Sequence, residues 1–185
     1  WPIHVRSHLA WEPAEAAVLA RLVATPPFVG HVQPTTTVTV DMRDVYPASH
    51  WAIAGQAPAY DKPDEDVYLE GRNIALTAKT AVWAARHSIE RLALGPLAGN
   101  PFPDATPEFF DAMSRALSVG LDRLIQLVAP LRDMHKAEVI RAGFLQGVRL
   151  DLTLSCMSPA GEAHCGRCNK CRERREAFVA AGVTD

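Results

Sequence analysis

The residues whose spacing most directly spells out a chemistry are four cysteines, Cys156, Cys165, Cys168 and Cys171. They follow the pattern C-x8-C-x2-C-x2-C. A C-x2-C step lets two thiolates converge on one tetrahedral centre, and zinc favours four such soft ligands. Gly166 sits in the first step, where a tight turn needs a permissive backbone. Asn169 and Lys170 make the second step turn-compatible as well. Arg167, Lys170 and Arg172 can offset the negative charge that four thiolates leave around a divalent ion. Other readings compete. Two disulfides require an oxidising compartment, an iron–sulfur cluster also takes four thiolates, and a redox C-x2-C needs only two. One structural zinc ion is the expected occupant; His164, beside Cys165, could replace one ligand but is expected behind the ligands or at the surface.

The elements that must position this site alternate between strand and helix. The chain has 185 residues, enough for a real hydrophobic core. Its net charge of −2 argues against a general nucleic-acid or membrane-surface binder. No apolar run approaches the roughly 20 residues of a membrane helix. A strand is expected at Ile3–Arg6, a helix at Pro13–Val23 and a β-branched strand at Thr35–Asp41. Residues 47–66 hold three prolines and several acids without a period, and read as a loop or lid. Its Trp51 and Tyr60 could stack on a base, although for Trp51 a hydrophobic plug is the stronger expectation. A helix follows at Arg72–His87, then a short strand at Leu92–Leu94 and a second irregular loop at 95–107. Thr106 can cap a helix reaching about Ser118, with Pro107 in its first turn. Leu124–Val128 reads as a strand, and Lys136–Ala142 as a helix that Gly143 stops. Leu150–Ser155 reads as extended chain, and Glu173–Ala181 as a final helix. Such alternation predicts an α/β fold with a mostly parallel sheet covered on both faces. Ligands in such sheets sit at the carboxyl ends of the strands.

The tail T-L-S-C, then H-C-G-R-C-N-K-C-R-E-R-R-E-A-F, between Thr153 and Phe178, closely resembles the C-terminal signature of the QueC family, the 7-cyano-7-deazaguanine synthases. Gly71-Arg72-Asn73 resembles that family's G-R-N at a helix start. Phe102-Pro103-Asp104 with Pro107-Glu108-Phe109 is similar to its P-D segment, and Pro130-Leu131 with Lys136 and Glu138 to its P-L-x-x-x-x-K-x-E segment. Gly182 and Asp185 match its final glycine and aspartate. The resemblance runs in order over about residues 38 to 185.

It implies a three-layer sandwich with a Rossmann-like sheet of the adenine nucleotide alpha hydrolase type, closed by a C-terminal zinc knuckle. An α/β domain of the PP-loop type at residues 1–150 and a zinc module at 151–185 are expected. The implied activity is that of a cytoplasmic ATP-dependent carbon–nitrogen ligase, usually a homodimer. It takes ATP with Mg2+, ammonia and the carboxylate of 7-carboxy-7-deazaguanine, and makes the nitrile through an acyl adenylate. The family opens with S-G-G-x-D-S, a loop whose backbone N–H groups cradle phosphate. This chain instead begins with a strand, so further sequence upstream of Trp1 is expected. Leu97-Ala98-Gly99-Asn100-Pro101-Phe102 stands where the family has D-x-x-G-Y, and Leu69-Glu70 where it has a valine-proline pair. Two alternatives follow from these departures: a relative acting on another carboxylate, or a paralogue that only binds a ligand.

Lys136, on a helix face, reads as the catalytic cation that steadies the phosphates or the leaving pyrophosphate, against a plain solvated lysine. Arg72 and Asn73 become nucleotide or substrate contacts rather than a helix cap with a surface charge. Asp104 becomes an acceptor of N–H bonds from a purine-like base rather than a turn residue. Thr153 and Ser155 either touch the ligand or satisfy backbone groups beside the knuckle. The mixed run Arg172–Glu176 reads as a solvated helix face. His4, His8 and His31 show no ligand spacing and receive no role.

Overall fold

The structure, a computed structural model, describes residues 1–185. Ten elements carry the fold: β1 (Ile3–Arg6), α1 (Glu12–Val23), β2 (Thr36–Thr39), α2 (Trp51–Ala54), α3 (Arg72–Arg86), β3 (Arg91–Ala93), α4 (Pro107–Leu121), β4 (Gln126–Val128), α5 (Lys136–Leu145) and α6 (Asn169–Ala181). The strands pair in parallel, β1 with β2 and β3 with β4. Each parallel pair is joined by a connection that contains a helix, as parallel pairing demands. The architecture is therefore α/β with parallel strands, as expected. The chain forms two compact units, residues 1–67 with 136–185, and residues 68–135. The position at 150 falls inside the first.

In the first unit, α5 and α6 pack through Ile140, Ala177, Phe178 and Ala181. The β1–α1 turn is held by one carboxylate. Glu12, only 4% exposed, accepts the Ser7 N–H on both oxygens at 2.9 and 2.8 Å and the His8 N–H at 2.8 Å. Those donors fix His8 at a φ of 62°, unusual for a residue with a side chain. Trp51 stacks on Trp11 with centroids 5.6 Å apart, so it acts as the hydrophobic plug, while Tyr60 is exposed.

In the second unit, α3 turns Thr77, Ala81, Ala84 and Ala85 inward. Ala81 and Ala85 meet Ile125 in a core completed by Leu92, Leu117 and Leu121. Helix α4 also serves β4 directly. The Ser114 hydroxyl accepts the Leu127 N–H, and that of Ser118 accepts the Ile125 N–H, both at 2.9 Å. Those N–H groups would otherwise lack partners beside a short strand. Thr106 caps α4 as expected, its hydroxyl accepting the Phe109 N–H at 3.1 Å.

Several expected boundaries move. Helix α5 passes through Gly143 to Leu145, and the chain at Leu150–Leu152 is a 3-10 turn rather than extended. Helix α6 starts at Asn169, between two cysteines, because the C-x2-C step is itself the first helical turn. Replacing Thr106 by Ala should lower stability by about 1 kcal/mol, the usual worth of such a cap. Urea denaturation of the two proteins measures it, and an unchanged midpoint would mean that the cap is idle.

Candidate functional site

The four cysteine sulfurs lie within 4.8 Å of one another. Nearest separations are 3.9 Å for Cys156–Cys168, 3.9 Å for Cys165–Cys171 and 3.5 Å for Cys168–Cys171. A tetrahedron with zinc–sulfur bonds of ~2.3 Å has edges of about 3.8 Å. The cluster thus has the size of a single four-coordinate ion. The separations are too long for disulfide bonds, and the thiolates of a cluster, spread over different irons, stand farther apart. Backbone N–H groups aim at the sulfurs: Ser158 and Cys165 donate to Cys156 Sγ at 3.3 and 3.4 Å, and Arg167 donates to Cys165 Sγ at 3.4 Å. Without a cation, four crowded thiols cannot all ionise. The hydrogen bond between Cys156 and Cys168 holds the Cys156 thiol far up, with burial adding to it, and pulls Cys168 down to about 4. Burial and the Cys168 neighbour push Cys171 up to about 11. A divalent ion would replace this mutual opposition with four bonds. The cluster fits a metal and is consistent with a zinc knuckle.

His164 is not a member of the cluster. Its Nε2 accepts the Ser155 N–H at 3.1 Å, which requires a neutral ring protonated on Nδ1. Burial lowers its pKa in the same direction. The knuckle also grips the segment before α3. Cys168 bridges to Ala59, Asn169 donates its N–H to Pro58 O at 3.1 Å, and its side-chain amide donates to Pro63 O at 3.0 Å. The Ser158 hydroxyl donates to Gly55 O at 2.9 Å. Much of the expected lid is therefore fastened to the cysteine module.

Thr153 is committed as well. Its hydroxyl donates to Leu150 O at 2.5 Å and accepts from Arg174 at 2.8 Å. Arg174 corrects the expectation of a solvated face at 172–176. It is 4% exposed, lies 4.6 Å from the Phe178 ring centroid, and forks onto Asp185 at 2.5 to 2.9 Å. It also reaches Leu150 O at 3.0 Å. The charge alternation around it concealed this role. Only its spacing from Ala177, Phe178 and Ala181 on the buried side of α6 could have revealed it.

Lys136 sits half-buried beside Glu173 at 3.2 Å, and Lys170 meets the same carboxylate at 2.6 Å. Burial, together with the Lys170 and Arg174 charges, lowers the Lys136 pKa although Glu173 raises it. Burial pushes Glu173 up, but the two lysines bring it below its ordinary value. The two directions differ in sign for stability, since Lys136 is held at a cost while Glu173 gains. In the second unit, Arg72, Asn73 and Asp104 come together. Asp104 Oδ2 accepts the Asn73 N–H at 3.0 Å, and the Asn73 side-chain amide donates to Asp104 O at 3.0 Å. Arg72 Nε is shielded from water without a hydrogen-bond partner. A cavity of about 260 Å³ lies along the 95–107 loop, lined by Leu97, Gly99, Asn100, Thr106, Phe110 and Arg132.

A parallel α/β chain ending in a four-cysteine module is the class these features define. The sequence profile of the queuosine biosynthesis protein QueC matches residues 40–182, and the chain belongs to the QueC family. It is similar to the 7-cyano-7-deazaguanine synthase of Caldicellulosiruptor bescii, with 36% identity over 127 residues, 68% of this chain and 57% of that protein. The synthase of the same name from Methanopyrus kandleri is 34% identical over 144 residues, 75% of this chain and 56% of that protein. That of Methanothermobacter thermautotrophicus is 35% identical over 121 residues, 64% of this chain and 54% of that protein. The chain thus spans a little over half the length of these curated relatives. No helix is long and apolar enough to cross a membrane.

Cys168→Ser should remove bound metal and lower the melting temperature by several degrees, because one of the four ligand sulfurs is lost. Metal analysis beside a thermal melt reads both, and a mutant that keeps both would reject the metal centre. Glu173→Gln bears on the acid limb of stability. The lowered Glu173 pKa means a stabilisation present above the unfolded carboxyl value and lost as pH falls through the folded one. The variant should therefore be less stable than the parent near pH 7, with the gap closing below about pH 4. A pH-independent gap would argue that packing, not charge, holds the pair.

Proposed function

We propose that the chain is part of an ATP-dependent carbon–nitrogen ligase that converts 7-carboxy-7-deazaguanine and ammonia to 7-cyano-7-deazaguanine. The observation that carries this reading is the QueC match over residues 40–182, which takes in the cysteine module, G-R-N and the P-D segment together. The names of the relatives, 7-cyano-7-deazaguanine synthases, support the product.

The chemistry follows from a weak electrophile. A carboxylate oxygen of the substrate attacks the α-phosphorus of ATP and expels pyrophosphate, which leaves an acyl adenylate. Ammonia adds to the carbonyl carbon, loses a proton and expels AMP, giving the amide. A second ATP adenylates the amide oxygen with loss of pyrophosphate and of one N–H proton, and departure of AMP with the second N–H proton yields the nitrile. Mg2+ accompanies each ATP and offsets phosphate charge when bound.

In this reading Lys136 is the cation that steadies the departing pyrophosphate, which takes over from Glu173 as its partner. Arg72 and Asn73, at the start of α3, and Asp104 contact nucleotide or substrate. Ser155 presents its hydroxyl to the ligand, its backbone being held by His164. Thr153 acts through Arg174. The cysteines hold structural zinc and take no part in the transfer. The assembly is a homodimer in the cytoplasm. A second reading, a PP-loop relative acting on a different carboxylate, is favoured by one observation: the departing segment Leu97–Asn100 lines a cavity.

The test is AMP formation by the gene product, including any sequence upstream of Trp1, given ATP, Mg2+, ammonium and 7-carboxy-7-deazaguanine. AMP with the nitrile product, lost in Lys136→Met from a protein that still carries about one zinc, is the expected result. AMP with another carboxylate alone would transfer the assignment to the second reading. No AMP from a folded, zinc-loaded protein with any carboxylate would reject both.

A further inference from the structure

A cavity of about 470 Å³ opens in the first unit at the carboxyl ends of β1 and β2. Its polar lining is His4, Arg6, His8, Glu12, Thr37 and Arg43, and an apolar wall comes from the β1–α1 turn and the first turns of α1. Nearly all of it precedes the matched residues 40–182. The place is the one where parallel α/β sheets receive ligands. Beyond the strands the two chains stay zipped together, Val40 N–H to Arg6 O at 2.8 Å and Met42 N–H to Ser7 O at 3.2 Å. That pairing brings His8 and Arg43 to the same rim.

Charge accounting shows what the cleft lacks. Glu12 is spent on the N–H groups of Ser7 and His8. Arg43 is spent on Asp41, with Nε at 2.9 Å and Nη2 at 2.6 Å. The Arg6 guanidinium is exposed and pairs with no carboxylate. His4 is 8% exposed, yet its buried Nε2 makes no hydrogen bond and stops 3.5 Å from Glu15 Oε2. His8 Nε2 is 3.9 Å from Asp41, too far for a hydrogen bond. The polar groups without a hydrogen bond are thus the Arg6 cation, the Thr37 hydroxyl and the Nε2 atoms of His4 and His8. A buried polar atom without a partner has a cost that an acceptor on a ligand would remove.

We propose that this cleft is an anion subsite: it takes the carboxylate or phosphate end of a small ligand, with Arg6 as the anchoring cation, His4 and His8 as donors, and the ligand's apolar body against α1. Arg6 is suited to the task because a guanidinium presents paired N–H groups to two oxygens of one anion. The assignment is independent of the ligase reading above, since it concerns binding and not adenylation.

The test is a titration of the chain at fixed ionic strength, once with inorganic phosphate and once with benzoate, followed by the NMR ring signals of the histidines. Saturable shifts of His4 and His8, absent at His135, are expected with at least one anion. Arg6→Ala, an exposed change whose fold circular dichroism can confirm, should weaken that binding at least tenfold. Arg149→Ala, at an exposed pair with Asp151 outside the cleft, should leave it unchanged. Response to phosphate alone assigns the phosphate end, and response to benzoate alone the carboxylate end. Linear shifts with both anions, or an Arg6→Ala protein that binds as tightly as the parent, would overturn the subsite.

Discussion

Four sulfurs crowded within 4.8 Å are an arrangement that protons alone accommodate poorly. Each thiolate formed raises the cost of forming the next, which is why Cys156 and Cys168 are driven in opposite directions. A single divalent ion would turn that conflict into cohesion, and the surrounding chain is organised around the cluster. Ala57 and Leu154 pack on the cluster, Asn169 holds Pro58 and Pro63, and Ser158 reaches Gly55. A segment with little regular structure of its own is thereby given fixed attachment points. The module's work in the structure is to fasten other parts, which suits a metal with no open coordination position.

A second organising centre shares the same helix. Arg174 is a charge placed inside the protein and surrounded by acceptors: two carboxylate oxygens, a hydroxyl and a carbonyl. Burial of such a group is tolerated only when its hydrogen-bonding capacity is met. The arrangement joins the middle of α6, the 3-10 turn at Leu150–Leu152 and Asp185. It also explains why Thr153 stands where it does, as one of the acceptors. Helix α6 therefore carries metal ligands at one end and an ion-paired anchor within, and its apolar side packs against α5.

Local signals were legible in the sequence where the physics is local. The C-x2-C steps and the Thr106 cap with Pro107 behind it depend on neighbours a few residues apart, and each lies where its pattern put it. Parallel pairing followed from strand–helix alternation. What escaped was the long-range polar wiring. Nothing near Glu12 announces that it would hold the Ser7 and His8 N–H groups. Nothing near Ser114 and Ser118 announces that they would serve β4. The His4, Arg6, His8 and Arg43 grouping is likewise a product of two strands meeting, and no spacing rule detects it. Arg174 was hidden by its charged neighbours, because alternation of sign suggests water on all sides.

The exchange between Asn73 and Asp104 has a consequence for how the second unit assembles. Two backbone-directed hydrogen bonds run between residues separated by 31 positions. Together they do for α3 what a capping box does for other helices, except that the acid arrives from a distant loop. Gly71 offers no side chain for the purpose. The first turn of α3 is therefore incomplete until β3 and the loop beyond it have been laid down. A ribosome-bound chain ending before Asp104 would carry a helix with a frayed start. Closure of the 73–104 loop, not helix propensity, then sets when that turn becomes ordered.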